Sequence, residues 1–219
     1  PRAVHPHADR QHPPRPVRER ARPPLNPSVW RTCRVLANRS RLEILQWMFQ
    51  NGETSVRAVA RQFRITEGGA SFALRLLQSR GLLAVRRVGR FVYYRPSSDP
   101  SIPWTRPLLS SLRKLLSAPN GIETAFSLLT AFTHPRRLQI LNRLIQGPCR
   151  SADIRRASSI SRPAFKRHMA KLRRRGLILL SPNAIIQLAP SDNPLTETLL
   201  ATLRSPGSFL DPAKTGRLY

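Results

Sequence analysis

One stretch of five residues is written twice in this chain, as Arg-Leu-Glu-Ile-Leu at 41–45 and as Arg-Leu-Gln-Ile-Leu at 137–141. The flanks agree as well. Leu42 and Leu138 are 96 residues apart, and further on "LLQSRGLLAV" (76–85) faces "KLRRRGLILL" (171–180), with Gly81 and Gly176 95 residues apart. A single deletion between these anchors reconciles the two offsets, and the parallel runs through most of residues 28–204. Self-similarity on this scale predicts a duplicated domain, and it constrains the fold more than any single motif. The 219 residues suffice for two units of roughly 100 each.

Each copy has the same internal grammar. Val29, Cys33 and Leu36 follow helical spacing after Ser28, which is placed to cap the helix. Leu42, Leu45, Met48 and Phe49 share one helical face, and Leu138, Leu141, Leu144 and Ile145 repeat it. The apolar residues are expected to pack, with the flanking Arg41 and Arg137 left in water. Gly52 and Gly147 stop these helices. Val56, Val59, Ala60 and Phe63 form the next stripe, and the three-residue turn Arg64-Ile65-Thr66 leads into a further helix that Gly81 ends. The second copy runs from "SADIRRAS" through Ser159-Ile160-Ser161 into a helix that Gly176 ends.

Helix, short turn, helix is the helix-turn-helix layout. Ile65 and Ile160 are expected to plug its corner, with Thr66 and Ser161 as N-caps. Two β-rich runs then flank Val88-Gly89-Arg90 in the first copy and Pro182-Asn183 in the second, which predicts a hairpin in each. A helix-turn-helix followed by a hairpin is a winged helix. Each copy closes with a leucine stripe, Leu108, Leu112 and Leu115 (joined by Leu109 and Leu116) or Leu195, Leu199 and Leu203, the latter after an Asp192/Asn193 cap and Pro194. These stripes need a partner, either each other or each copy's first helix.

The expected fold is thus mainly α with small β-hairpin wings, in two tandem winged helix-turn-helix domains at 28–118 and 119–204. Residues 1–27 form a Pro- and Arg-rich basic tail with too few large apolar residues to offset the entropy of ordering, and 205–219 form a C-terminal tail.

Charge narrows the function. Lys and Arg number 38 against 11 acids, a formal net charge of +27, which suggests a polyanionic partner. The acids are scattered, with no two spaced as a general acid/base pair on one element, so no enzyme is expected. Cys33 and Cys149 occupy non-equivalent positions and form no Cys-x-x-Cys, so they are expected to be free buried thiols. No ligand cluster and no cofactor motif is visible. No apolar run approaches the roughly 20 residues of a membrane span, and no signal-peptide core is present. The expectation is a cytoplasmic, nucleoid-associated protein with no membrane partner.

"LANRSRLEIL" and "FTHPRRLQIL", the runs "ITEGGASFALRLLQSRGLL" and "ISRPAFKRHMAKLRRRGLI", and "VRRVGRFVYY" together resemble the ArsR-type winged-helix family of transcription regulators: its opening helix, its recognition helix and its wing. The resemblance implies binding to double-stranded DNA. It implies groove-facing residues at Ser161, Arg162, Lys166, Arg167 and His168 in the second copy, where the first copy holds Glu67, Gly69, Ser71, Phe72 and Ala73. It implies wing contacts at Arg86, Arg87 and Arg90 in the first copy, for which the second has no counterpart. Metal-sensing members carry a cysteine pair before the recognition helix; "SVRAVARQF" has none, so no metal sensing is expected. The reading is a transcription regulator in which one chain makes an intramolecular pseudo-dimer, with homodimerisation left open. The alternative is a protein-interaction adaptor in which Ser71 and Phe72 meet a partner protein or the transcription machinery. RNA binding is a third, weaker alternative that charge alone leaves open.

Overall fold

The computed structural model describes residues 28–204, so the two tails of the expected organisation lie outside the described residues. The chain is mainly helical with small antiparallel sheets, compatible with a winged-helix arrangement. The same order of elements occurs twice. The N-terminal half runs α1 (Val29–Leu36), α2 (Arg39–Asn51), β1 (Thr54–Ser55), α3 (Val56–Phe63), α4 (Glu67–Gln78), β2 (Leu83–Val88), β3 (Phe91–Pro96) and α5 (Thr105–Leu116). The C-terminal half runs α6 (Gly121–Ala131), α7 (Pro135–Ile145), β4 (Cys149–Arg150), α8 (Ser151–Ala157), α9 (Arg162–Arg174), β5 (Ile178–Leu180), β6 (Ile185–Leu188) and α10 (Pro194–Arg204).

Local chemistry starts and stops these elements. The Asn38 side chain accepts a hydrogen bond from the Arg41 N–H at 3.0 Å, satisfying a donor that the first turn of α2 leaves unpaired. Gly52, at φ +73°, ends the helix by returning its N–H to the Met48 carbonyl. Ser55 caps α3, Thr66 caps α4 through the Gly69 N–H at 3.1 Å, and Asn193 caps α10 through the Leu195 N–H at 3.0 Å. Ser28 and Ser161 have N-cap backbone geometry, but their hydroxyls make no cap bond. At Ser161 the second helical residue is Pro163, which has no N–H to offer.

The wings hold more than hairpins. β2 and β3 pair from Leu83↔Pro96 to Val88↔Phe91, so Val88 belongs to the strand and the turn is Gly89-Arg90, with Gly89 at φ +55°. In the C-terminal half β5 and β6 flank a four-residue turn, Ser181 to Ala184, closed by the Ser181 N–H to the Ile185 carbonyl at 2.8 Å. A two-residue strand that the sequence does not signal joins each hairpin, giving sheet orders β1-β3-β2 and β4-β6-β5. Thr54 pairs with Tyr94, and Cys149 with Ile186.

The leucine stripes find the expected partners. α5 and α10 pack against each other, α5 also against α6, and α10 also against α7. Their leucines are buried in one core that runs through both halves. α1 and α2 contact α6, and Arg39 of α2 makes a bidentate pair with Glu123 of α6 while lying over the Phe126 ring at 4.1 Å. The α5–α6 junction is tight. A Cβ at Gly121 would sit 2.1 Å from the Leu115 carbonyl oxygen, so only glycine fits there.

Two expectations about the repeat fail. Arg41 and Arg137 are not left in water. Each is half-buried and folds its guanidinium back onto the end of the preceding helix: Arg41 donates to the Val35 carbonyl, and Arg137 to the carbonyls of Ala131 and Thr130 and the Thr133 hydroxyl, the last two at 3.0 and 2.7 Å. Terminal carbonyls of α1 and α6 lack intrahelical partners, and a cation there complements the helix dipole. Burial lowers the pKa of both guanidinium groups from the ordinary arginine value.

The second failure concerns the corner of the helix-turn-helix. Ile160 plugs it at 6% exposure, but Ile65 stands 40% exposed. In the N-terminal half Phe63 packs edge-on against Trp47, with ring centroids 6.1 Å apart, and joins the core. The equivalent position in the C-terminal half is Ser158, and Ile160 is buried in its stead.

Candidate nucleic-acid interface

The second helix of the C-terminal helix-turn-helix is anchored by one face and charged on the other. Phe165 and Leu172 of α9 are buried, while Ser161, Arg162, Lys166 and Arg167 are exposed. Arg173 and Arg174 are exposed too, seven residues beyond Lys166 and Arg167 and so two turns further along the same sector. Their signal in the sequence is the basic run "KLRRRG" at 171–176.

His168 points elsewhere. It is half-buried with its ring 4.6 Å from that of His134, the N-cap residue of α7. Burial, then the neighbouring His134, Arg137, Arg167 and Arg136, lower its pKa to about 4. His134 is lowered as well, by burial and by Arg137, Arg136 and Arg34. Its Nδ1 accepts a hydrogen bond from the Arg136 N–H at 3.1 Å. Both rings are therefore neutral near pH 7 and tie α9 to the start of α7. Arg136 adds a second tie by donating to the Ser158 carbonyl at 3.0 Å, just before the helix-turn-helix corner.

The matching face of α4 has a different chemistry. Glu67, Gly68 and Gly69 are exposed at its start, Ser71 is half-buried, and Phe72 stands 58% exposed. Ala73, the counterpart of His168, is buried. Arg75 turns its Nε onto the Ser71 carbonyl at 3.3 Å.

The first wing carries four arginines, Arg86, Arg87, Arg90 and Arg95. Strand alternation puts Val85, Arg87, Val92 and Tyr94 on one face, and Tyr94 is buried. Arg86, Val88, Phe91 and Tyr93 share the other, outward face. Arg86 forms a bidentate pair with Glu53 and lies 5.1 Å above the Tyr93 ring. That pairing raises the Arg86 pKa and lowers that of Glu53. Arg87 and Arg90 are exposed, Arg90 with its guanidinium 5.2 Å from the Phe91 ring. The turn of the second wing, Ser181-Pro182-Asn183-Ala184, carries no charge.

The structure thus brings Arg162, Lys166 and Arg167 together on one helix and Arg87 and Arg90 together on one hairpin, while Arg86 is committed to Glu53 and His168 to His134. Cys33 and Cys149 are free and buried, and burial raises the Cys33 pKa well above the ordinary thiol value. Among the described residues no group of three or more His, Cys, Asp or Glu is placed to hold a metal ion, and no helix is long and apolar enough to cross a membrane.

Comparison with known proteins places the match on this geometry. The sequence profile of a bacterial regulatory protein family, the arsR family, matches residues 134–178, from the N-cap of α7 to the first residue of β5. The chain is also 36% identical over 84 residues to the HTH-type transcriptional regulator YgaV of Escherichia coli (strain K12), a match spanning 38% of this chain and 85% of that one.

Proposed function

The chain belongs to the arsR family of bacterial regulatory proteins, and on that premise we propose that it is a sequence-specific regulator built as two tandem winged-helix domains, 28–118 and 119–204, in one chain. A DNA-binding transcription regulator is what the family supplies. The tandem arrangement, the specificity and the residue roles are the proposal. The observation that carries it is the twofold order of elements combined with an exposed basic face on α9, the second helix of the C-terminal helix-turn-helix.

In this reading α9 enters the major groove. Arg162 and Arg167 reach base edges, where a guanidinium pairs with guanine O6 and N7, and Lys166 and the Ser161 hydroxyl hold phosphates. Arg87 and Arg90 contact the duplex from the first wing. Arg86 is paired with Glu53 and sets the wing rather than the contact, and His168 braces α9 from behind. The α5–α10 packing takes the place that an interface between two chains has in a homodimer. Neither α3 nor α8, the helices before the two turns, carries a cysteine, so regulation proceeds without a metal sensed there.

Selection from a random duplex library tests the reading, with the wild type, Arg167→Ala and Phe72→Ala measured on the selected duplex at two salt concentrations. Arg167→Ala costs about 1–3 kcal/mol and relaxes preference at one base position. Phe72→Ala leaves sequence preference alone. Loss of specificity from Phe72→Ala and none from Arg167→Ala would assign base reading to α4 instead. A second reading, an adaptor that docks a protein through α4, is favoured by the exposure of Phe72 and Ile65. It predicts no enriched duplex and affinity for DNA that vanishes at the higher salt.

A further inference from the structure

Among the described residues six large apolar side chains stand exposed: Ile65, Phe72, Val88, Phe91, Leu179 and Leu180. Two of them form the last rung of a hairpin. Val88, 46% exposed, pairs directly with Phe91, 52% exposed, and only Gly89 and Arg90 lie beyond them. Residues directly opposite in an antiparallel pair share a face, so the two side chains stand together on the outward side of the wing, next to the Arg86–Tyr93 rung.

The setting is cationic. Arg87 is on the neighbouring rung, Arg90 covers the Phe91 ring at 5.2 Å, and Glu53, the acid facing this wing, is taken up by Arg86. The exposed leucines of the second wing differ: Leu180, next to the turn, pairs with the buried Ile186 rather than with a second exposed side chain, and the turn beyond it is uncharged.

Apolar side chains at a protruding tip cost solvation unless something covers them, and here the covering surface must also be anionic. Duplex DNA offers Val and Phe two apolar surfaces. One is the thymine methyl in the major groove; the other is the face of a base pair, reached by opening a step from the minor groove. A two-residue turn narrows the hairpin to a tip, the shape that the second needs.

We propose that the β2–β3 tip is a wedge: Phe91, backed by Val88, inserts between two base pairs from the minor groove while Arg87 and Arg90 hold the flanking backbone, so that the bound duplex is kinked. Unstacking one step is offset by the ring stacking on the exposed base pair and by the contacts that the bend permits. The sequence cost falls on the step that opens, so flexible pyrimidine–purine steps are favoured at a position where no hydrogen bond reads a base. The inference rests on the reading of the chain as a binder of duplex DNA, which it deepens by making that binder bend its site.

The test uses the full chain and the selected duplex, end-labelled for energy transfer and carrying 2-aminopurine at each candidate step in turn. The wild type bends the duplex by some tens of degrees, within the about 20–90° typical of side-chain insertion, and the fluorescence of one step rises as it unstacks. Phe91→Ala binds but loses most of the bend and the fluorescence change. Phe91→Leu, which keeps an apolar wedge, retains both. A mismatch at the opened step, already cheap to unstack, tightens wild-type binding about tenfold and leaves Phe91→Ala unaffected.

Equal bending by wild type and Phe91→Ala would overturn the wedge. So would a loss of wild-type affinity when thymines are replaced by uracils, with no loss for Phe91→Ala, because the ring would then be reading a methyl. Failure of the underlying reading looks different: the wild type itself would select no duplex, before any variant is compared, and the wedge would fall with it.

Discussion

The two halves of this chain share an order of elements but have divided the surface chemistry between them. The C-terminal half has a cationic α9 and an uncharged wing turn. The N-terminal half has a cationic, apolar-tipped wing and an α4 whose exposed residues are Glu67, Gly68, Gly69, Phe72 and a single cation, Arg75. Position by position, Phe72 stands where Arg167 does, Glu67 where Arg162 does and Ser71 where Lys166 does. The scaffolds diverge less. Both halves bury the leucines of the repeated pentapeptide and fold its arginine onto a helix end. A core position can change only with the neighbours it touches, because interiors are close-packed, whereas a solvent-facing helix position is free to change alone.

The largest expected difference is at the helix-turn-helix corner. Ile160→Ala removes a buried side chain and should cost about 3 kcal/mol in urea unfolding. Ile65→Ala removes one that stands 40% exposed and should cost less than about 1 kcal/mol. Similar costs would mean that the two corners are built alike after all.

The arginine of the repeat sharpens the comparison next. Arg137 satisfies two carbonyls and a hydroxyl, Arg41 a single carbonyl. Arg137→Ala should therefore cost about 2–3 kcal/mol and Arg41→Ala about 1–1.5 kcal/mol, most of it from leaving helix-end carbonyls unpaired. Equal losses would show that the contacts to Thr130 and Thr133 add nothing.

A smaller effect separates the halves by pH. His168 has a folded-state pKa of about 4, below the ordinary value of about 6.5. Between those values the unfolded chain binds the proton more readily, so acidification favours unfolding. The stability present above about pH 6.5 is lost as pH falls toward 4. For a half-buried ring, with screening by solvent, about 1–2 kcal/mol is at stake. His168→Ala, which installs the residue of the N-terminal half, should flatten urea midpoints between pH 7 and 4.5 relative to wild type. Unchanged steepness in that variant would place the acid sensitivity elsewhere.

Much of the fold was legible in the residues because it is periodic and local. The leucine registers of α2, α5, α7 and α10, the glycines that end helices and the turn between α3 and α4 each follow from spacing within a dozen residues. The candidate site was legible in part. Exposed arginines on α9 and on the first wing follow from the same registers, and the free thiols from the cysteine count. What escaped was contact across the chain. Glu53 meets Arg86, 33 residues away, and His134 meets His168, 34 residues away. The first pairs a side chain that stays exposed, and the second draws His168 out of the exposed set in which spacing alone had placed it.

Sequence by itself determined that one pentapeptide and its flanks are written twice, which faces of the helices are apolar, and that the chain is strongly cationic, since each of these depends on residue identity alone. Tertiary structure alone decided which cations are spent inside. A guanidinium near a helix end, a carboxylate or an unpaired carbonyl is held there by electrostatic attraction, and those partners are set by how distant elements pack. It likewise decided that two-residue strands complete the wings, and that Ile160 and Ile65, equal in the sequence, part company, because Phe63 joins the core where the other half has only Ser158.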